Sequence, residues 1–383
     1  MRKSALYLLG LVVAALVALG LVVLFSASEV RSMRLSGTPW QFVAKQSGYI
    51  IAGLVLASVV ALIDYHRWRD QWLLTALLAF FVFAALWVVF AFPAVKGSHR
   101  WIPLPGGVNF QPGEVAKIVM VLALSVVLDK AGWRVELFKR GALYPAVVIG
   151  FFALPVLLEP DFGSVMVIVI VGAMLMFVAG TRVLHLLPLF LSGVAVVAWE
   201  VIHNPNRMAR IAAFVGVGMD GTETPADVDA AYQSGMAIVA ISRGGLFGVG
   251  LGRSMQKQNY LPEAWTDFIF AIGAEELGLV FSIAVLLLFL AFFFISVHIA
   301  RKSSDRLGRF MALGMAVVVF FQAMFNIGVV CKAFPTKGMA LPFFSYGGTN
   351  MITTFLAVGF IFSVGLHALK DQDKPFTRKT VAN

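Results

Sequence analysis

Charge is what this chain has least of. Asp, Glu, Lys and Arg fill only 13% of its 383 positions while 60% are hydrophobic, a balance that soluble globular domains do not keep. It has a single cysteine, Cys331, which excludes an internal disulfide and any cysteine-built metal cage. The six histidines (His66, His99, His185, His203, His298 and His367) stand apart without ligand spacing, so no structural metal is expected. No Walker A sequence occurs, and no nucleotide domain fits between the apolar runs. The formal charge is +10, yet the basic residues are scattered between apolar runs and not gathered in a patch with interleaved aromatics. That excludes a nucleic-acid surface and leaves topology and anionic membrane lipid as the reason for the charge.

What the chain has in abundance is apolar runs. Arg2 and Lys3 precede one from Ala5 to Phe25, longer than a signal peptide's apolar region and long enough to cross a bilayer uncleaved. Further spans are expected at 47–63, 71–92, 114–129, 143–158, 162–179, 183–202, 277–300, 309–330 and 350–368. The expected fold is therefore an all-α polytopic membrane protein of about ten transmembrane helices, with one long extracytoplasmic loop at 203–266. A single membrane domain covers 1–369, and 370–383 is a basic cytoplasmic tail. Arg2, Lys3, Arg67, Arg69, Lys130, Arg134, Lys139, Arg140, Arg182, Arg301, Lys302, Arg306 and Arg309 fall on one side. The short loops of the other hold Arg31, Arg34, Lys45, Lys96, Arg100, Lys332 and Lys337. The positive-inside rule then places both termini in the cytoplasm.

The acids that exist are concentrated. Leu261 to Gly278 holds Glu263, Asp267, Glu275 and Glu276 at the outer mouth of an apolar segment, where desolvation is costly and function is the default reading. A helix cap accounts for one such acid, Thr266 or Asp267 serving as N-cap, but not for four. From Asp267 to Ala300 a helix would be roughly 50 Å long against an apolar core of about 30 Å. Its first part is expected to rise above the interface or to fold back into a cavity.

Other polar features gather on the same face. Lys96 to Gly113 carries four Gly and three Pro, the composition of an ordered, turn-rich loop. Glu114 and Lys117 then stand three apart on one helix face, as a self-neutralising pair or as the lining of a cavity. In Leu158-Glu159-Pro160-Asp161, Pro160 ends one helix and Asp161 can cap the next. The long loop opens with Arg207 and Arg210, also three apart, and closes with Gly244, Gly245, Gly248, Gly250 and Gly252. Those glycines let backbone approach a ligand closely or simply make a turn. Carboxylates can act as bases, and Arg and Lys grip phosphate. Together they suit a substrate with a phosphorylated head and a lipid tail, handled by an enzyme or by a transporter.

Several of these stretches resemble the SEDS family (shape, elongation, division and sporulation proteins). They are Leu261–Gly278 with its Thr266-Asp267-Phe268-Ile269-Phe270-Ala271 core, Arg100-Trp101-Ile102 with Gln111-Pro112, and Glu159-Pro160-Asp161-Phe162-Gly163. Gly244-Gly245-Leu246-Phe247-Gly248, Asn326-Ile327-Gly328 and Leu341–Gly348 follow in order. Pro335-Thr336-Lys337-Gly338 resembles the FtsW branch more than the RodA branch. Trp265 stands where the family often has His, Gly113 where Ser precedes the Glu, and Thr349-Asn350 where paired Ser are usual.

The resemblance implies a peptidoglycan glycosyltransferase of the bacterial inner membrane. Such an enzyme polymerises lipid II on the outer face, working with a class B penicillin-binding transpeptidase and other division or elongation proteins. It implies Asp267 as the catalytic carboxylate, acting as general base in an inverting transfer. Arg207, Arg210 and Lys337 are candidates for neutralising pyrophosphate. Glu114 and Lys117 would line the cavity, with Glu263, Glu276 and Arg100 as further substrate contacts. No tightly bound cofactor is expected, though a divalent cation could assist the pyrophosphate. A lipid-linked sugar flippase is the rival reading.

Overall fold

A computed structural model describes residues 2–94, 98–105, 108–203, 208, 225–258, 260–335 and 338–373. The helices are α1 (Arg2–Ser36), α2 (Gln41–Leu62), the single turn α3 (Arg67–Asp70), α4 (Trp72–Val88), α5 (Pro112–Ala131), α6 (Tyr144–Leu158), α7 (Phe162–Ala179) and α8 (Val183–Ile202). They continue with α9 (Pro225–Gly244), α10 (Ile269–Arg301), α11 (Arg306–Val330) and α12 (Gly348–Asp373). A two-stranded antiparallel hairpin, β1 (Ile102–Leu104) and β2 (Val108–Phe110), pairs Ile102 with Phe110 just before α5.

The chain is an all-α polytopic membrane protein. Among the described residues eight helices are long and apolar enough to cross a membrane; α5 and α8 bring the bundle to ten. α5 is not among the eight because it carries four charges, Glu114, Lys117, Asp129 and Lys130. It is nevertheless central: α4, α6, α7, α11 and α12 all pack on it, so Glu114 and Lys117 are buried in protein, while Asp129 and Lys130 stand at its end. Hydroxyls inside the spans spend themselves on the preceding turn, as Ser125 does on the Val121 carbonyl and Ser296 on the Phe292 carbonyl, which removes their desolvation cost.

Local chemistry sets the boundaries. Pro112 stands at the start of α5, where its missing N–H costs nothing. Asp161 caps α7 by accepting from the Ser164 N–H, and Asp305 caps α11 from the Gly308 N–H at 3.1 Å. α1 and α2 extend beyond the spans expected at 5–25 and 47–63, because a helix does not stop where hydropathy falls. The surplus length of the 267–300 segment is resolved by a break: Gly278, at φ 75° and ψ −164°, splits α10 into a short outer piece and a spanning piece.

Candidate active site

The glycine-rich segment after α9 exists to mend that break. A non-helical residue frees backbone groups that the membrane boundary cannot leave unpaired. The loop supplies them: Leu279 N–H donates to the Gly245 carbonyl at 2.9 Å and Val280 N–H to that of Leu246 at 3.3 Å. In the other direction, Val249 and Gly250 N–H donate to the carbonyls of Glu275 and Glu276, each at 3.0 Å. The contact is so close that a Cβ at Gly248 would strike the Glu276 carbonyl, and one at Gly244 the Ala274 carbonyl. The glycines serve a backbone approach, but the thing approached is the protein's own helix.

Glu275 and Glu276 belong to the same repair. Glu275 is fully buried; it accepts from the Ser254 hydroxyl and the Met255 N–H and pairs with Arg243 at 3.4 Å. Glu276, a substrate contact by sequence, is 1% exposed. Its Oε1 accepts from Ser26 at 2.6 Å and from Ser254 N–H at 3.2 Å, and lies 3.4 Å from Lys257 Nζ. Lys257 in turn reaches Glu29 on α1 at 3.4 Å. Glu263 turns back on itself: at φ 55° it accepts from the Thr266 hydroxyl on both its carbonyl and its Oε2.

Asp267 is handled differently. It is not the cap of α10, whose N-cap is Phe268 with no side-chain capping bond. Instead the carbonyls of three successive residues are each gripped from elsewhere. Tyr346 N–H donates to Trp265 at 3.0 Å, the Ser345 hydroxyl to Thr266 at 2.6 Å, and the Asn326 amide to Asp267 at 2.8 Å. The same Asn326 nitrogen holds the Met339 carbonyl at 2.5 Å. The half-buried Asp267 carboxylate lies directly against Gly338, where any Cβ would collide with it. A side chain whose backbone is pinned at three consecutive points keeps its direction without relying on its own bonds. Trp265, in the place where the family often has His, packs between Phe42 and the guanidinium of Arg31, 4.7 Å above its ring.

A buried polar track leads from this turn to α5. One helical turn from Asn326, Gln322 donates to the Ala340 carbonyl and to Asn350 Oδ1, each at 3.0 Å. Its Oε1 accepts from Lys117 Nζ at 2.6 Å, and Lys117 is paired with Glu114 at 2.7 Å. Glu114, Lys117 and Gln322 line a small cleft with Ile118, Val318, Val319, Thr353 and Thr354, so the pair is both self-neutralised and cleft-lining. Gln322 and Asn326 were not singled out from sequence as site residues. Their signal was available: two amides four apart within an apolar span, on one helix face.

The 159–161 turn forms a second polar centre. Arg100 donates to the Pro160 carbonyl at 2.8 Å and the Ser98 hydroxyl to the Glu159 carbonyl at 2.6 Å. Asp161 accepts from Ser164 Oγ at 2.8 Å and Gln111 Nε2 at 3.3 Å, confirming its role as a cap. Glu159 is fully buried, and among the described residues neither carboxylate oxygen has a hydrogen-bond partner. Burial, reinforced by the neighbouring Asp161 charge and opposed by Arg100, pushes its pKa up to about 9. Gln111 N–H donates to Thr349 Oγ1 at 3.1 Å, seating the hairpin on the start of α12.

Arg207, Arg210 and Lys337 lie outside the described residues. Among the described residues no group of three or more His, Cys, Asp or Glu could hold a metal ion. The arrangement thus offers a rigidly mounted carboxylate, a buried Lys–Glu pair linked to its mount, and Pro- and Gly-shaped loops around both.

The family model described as cell cycle protein, covering FtsW, RodA and SpoVE, matches residues 6–370. The chain belongs to that family. A relative in Thioalkalivibrio sulfidiphilus, called probable peptidoglycan glycosyltransferase FtsW, is 38% identical over 359 residues, covering 93% of this chain and 88% of the relative. Another of the same name, in Trichlorobacter lovleyi, is 36% identical over 359 residues, covering 92% and 91%. Among solved structures, a chain from work on the coordination of polymerization and crosslinking by a peptidoglycan synthase complex aligns with a TM-score of 0.74. It is 25% identical, with 95% of this chain and 98% of that chain covered. The rod shape determining protein RodA of Thermus thermophilus aligns at 0.68 with 25% identity, covering 94% and 96%. Family members thus share the whole membrane fold.

Proposed function

We propose that this chain is a peptidoglycan glycosyltransferase that polymerises lipid II on the outer face of the inner membrane during cell division. Family membership and the names of the relatives support the activity. The observation that carries the site is Asp267, pinned through three consecutive carbonyls and excluded from the role of helix cap. Its carboxylate takes the proton from the sugar 4-hydroxyl of one lipid II as that oxygen attacks the anomeric carbon of the lipid-linked donor. The new glycosidic C–O bond forms with inversion as the anomeric bond to pyrophosphate breaks, the electron pair leaving with the pyrophosphate.

Such a leaving group needs its charge neutralised, not a second carboxylic acid. Arg207, Arg210 and Lys337 are assigned that task, in which a divalent cation would assist by adding positive charge, and no resident cofactor is required. Glu114 and Lys117 line the cleft behind, and Arg100 and Glu263 are assigned as further substrate contacts. Glu276 acts on substrate only through the loop it holds. A class B penicillin-binding transpeptidase is the partner that cross-links the product. The positive-inside bias puts both termini in the cytoplasm.

Purified protein with its transpeptidase partner should convert labelled lipid II into glycan strands in detergent. A lipid that is scrambled across liposomes with no polymer formed would mark a flippase instead. For the orientation, in a Cys331→Ser background a cysteine at Lys332 should react with an impermeant reagent in intact cells and one at Lys302 should not, both positions being exposed; the reverse pattern would invert the topology.

A further inference from the structure

The segment that mends the broken helix also carries an apolar surface that stands exposed among the described residues. Phe247 is 81% exposed, Leu246 62% and Leu251 52%. On a soluble face three such neighbours would be a liability. Their height relative to the membrane gives them a different meaning, and two independent rulers fix that height. From Gly278 to Arg301 the helix rises roughly 35 Å, about the thickness of a hydrocarbon core plus one turn. The apolar run of α1 ends at Phe25, and the next residue, Ser26, is the one that meets Glu276 and Lys257. Both rulers put the Ser26–Glu276–Lys257 cluster at the outer boundary of the hydrocarbon.

Leu246 lies at that boundary, because its carbonyl accepts from Val280 N–H. Beside it the membrane-facing side of α10 continues with Leu279, Val280, Ile283 and Leu287, all exposed. The apolar turn is therefore continuous with the lipid-facing surface of a span. Arg253, also exposed, stands two residues beyond Leu251, long enough to reach a phosphate from an apolar footing.

We propose that residues 245–253 form a membrane-depth anchor occupied by the outer phospholipid leaflet. Leu246, Phe247 and Leu251 enter the acyl region, and Arg253 takes a lipid phosphate. Since the same loop is bonded to Glu275 and Glu276 on the helix that opens beside Asp267, the anchor sets that residue's height above the leaflet. This consequence rests on the catalytic reading above; the anchor itself does not.

The test measures depth and not turnover. In a Cys331→Ser background, Phe247→Cys carries a nitroxide, and the protein is placed in nanodiscs of phosphatidylethanolamine and phosphatidylglycerol. Relaxation by oxygen should exceed relaxation by a water-soluble nickel chelate, placing the label just below the phosphates. Greater access to the chelate would overturn the anchor. So would a label that is exposed to water alone and shielded only when the transpeptidase is added, since the surface would then belong to a protein. Leu251→Cys gives the same reading should the first variant fail to fold. Loss of polymerase activity in Asp267 variants bears on the catalytic reading and leaves this measurement untouched.

Discussion

Two acidic sites lie within ten residues of each other and are built in opposite ways. Glu275 and Glu276 are sealed from solvent and engaged by Ser26, Ser254, Arg243 and Lys257, with only Glu276 Oε2 lacking a hydrogen-bond partner among the described residues. Asp267 is half-exposed at the mouth of the bundle, and what is saturated around it is the backbone, not the carboxylate alone. The first arrangement spends charge on holding a loop to a broken helix. The second spends neutral amides and hydroxyls on aiming a charge. Proximity in sequence is a poor guide to shared purpose: the side chain's neighbours decide whether an acid is mortar or tool.

If this contrast is right, damage at the two sites should separate stability from activity. Glu276→Ala leaves Lys257, 4% exposed, with Glu29 as its one charged partner among the described residues, and a buried pair broken in this way costs about 3 kcal/mol or more. The largest effect should therefore be on folding: expression and thermal midpoint in detergent should collapse, with activity lost as a result. A Glu276→Ala protein as stable as wild type but unable to polymerise would move Glu276 into the chemistry.

Gly338→Ala should do the reverse. The added methyl has no room beside the Asp267 carboxylate and must turn it aside. Misplacing a reacting group by about 1 Å can cost on the order of a hundredfold. Turnover should fall at least tenfold while the melting midpoint moves little. Full activity in this variant would mean that the direction of the carboxylate is not what the clamp protects.

The smallest effect concerns Glu159, which resembles the buried pair in burial but lacks its partners. An acid whose pKa rises to about 9 on folding holds its proton in the native state when the unfolded chain has released it. Its contribution is complete below the unfolded value of about 4.3 and is lost as pH climbs through 9. Stability should therefore decline from about pH 5 to pH 9. Glu159→Gln should flatten that slope and raise the melting midpoint at pH 8 by a few degrees. An unchanged slope would show that Arg100 already keeps the carboxylate ionised.

Much of this was legible in the residues. Apolar runs of about twenty residues disclosed the spans, and the excess length after Asp267 showed that its first part lies above the interface or folds back, although only the structure shows the break at Gly278. Asp161 was readable as a cap, since an acid after a Pro and before an apolar run has few other uses. The acid cluster was legible as a cluster but not as two sites. Which side chains meet depends on α1 and the 254–257 turn, far away in sequence. The glycine run showed only that something comes close. That the visitor is the helix itself follows from pairing across roughly thirty residues, which no local pattern records. Gln322 and Asn326 left a local signal, two amides four apart in one span, but the carbonyls they hold, which give them their importance, are not written in that pattern.

The central claim is that Asp267 is mounted to accept a proton. Asp267→Asn keeps the size and most of the hydrogen-bonding capacity, and the backbone clamp does not depend on the carboxylate. Initial rates of lipid II polymerisation by the purified complex should fall roughly a hundredfold or more in this variant, with melting midpoint and transpeptidase binding unchanged. Polymerisation within twofold of wild type by folded Asp267→Asn protein would contradict the account.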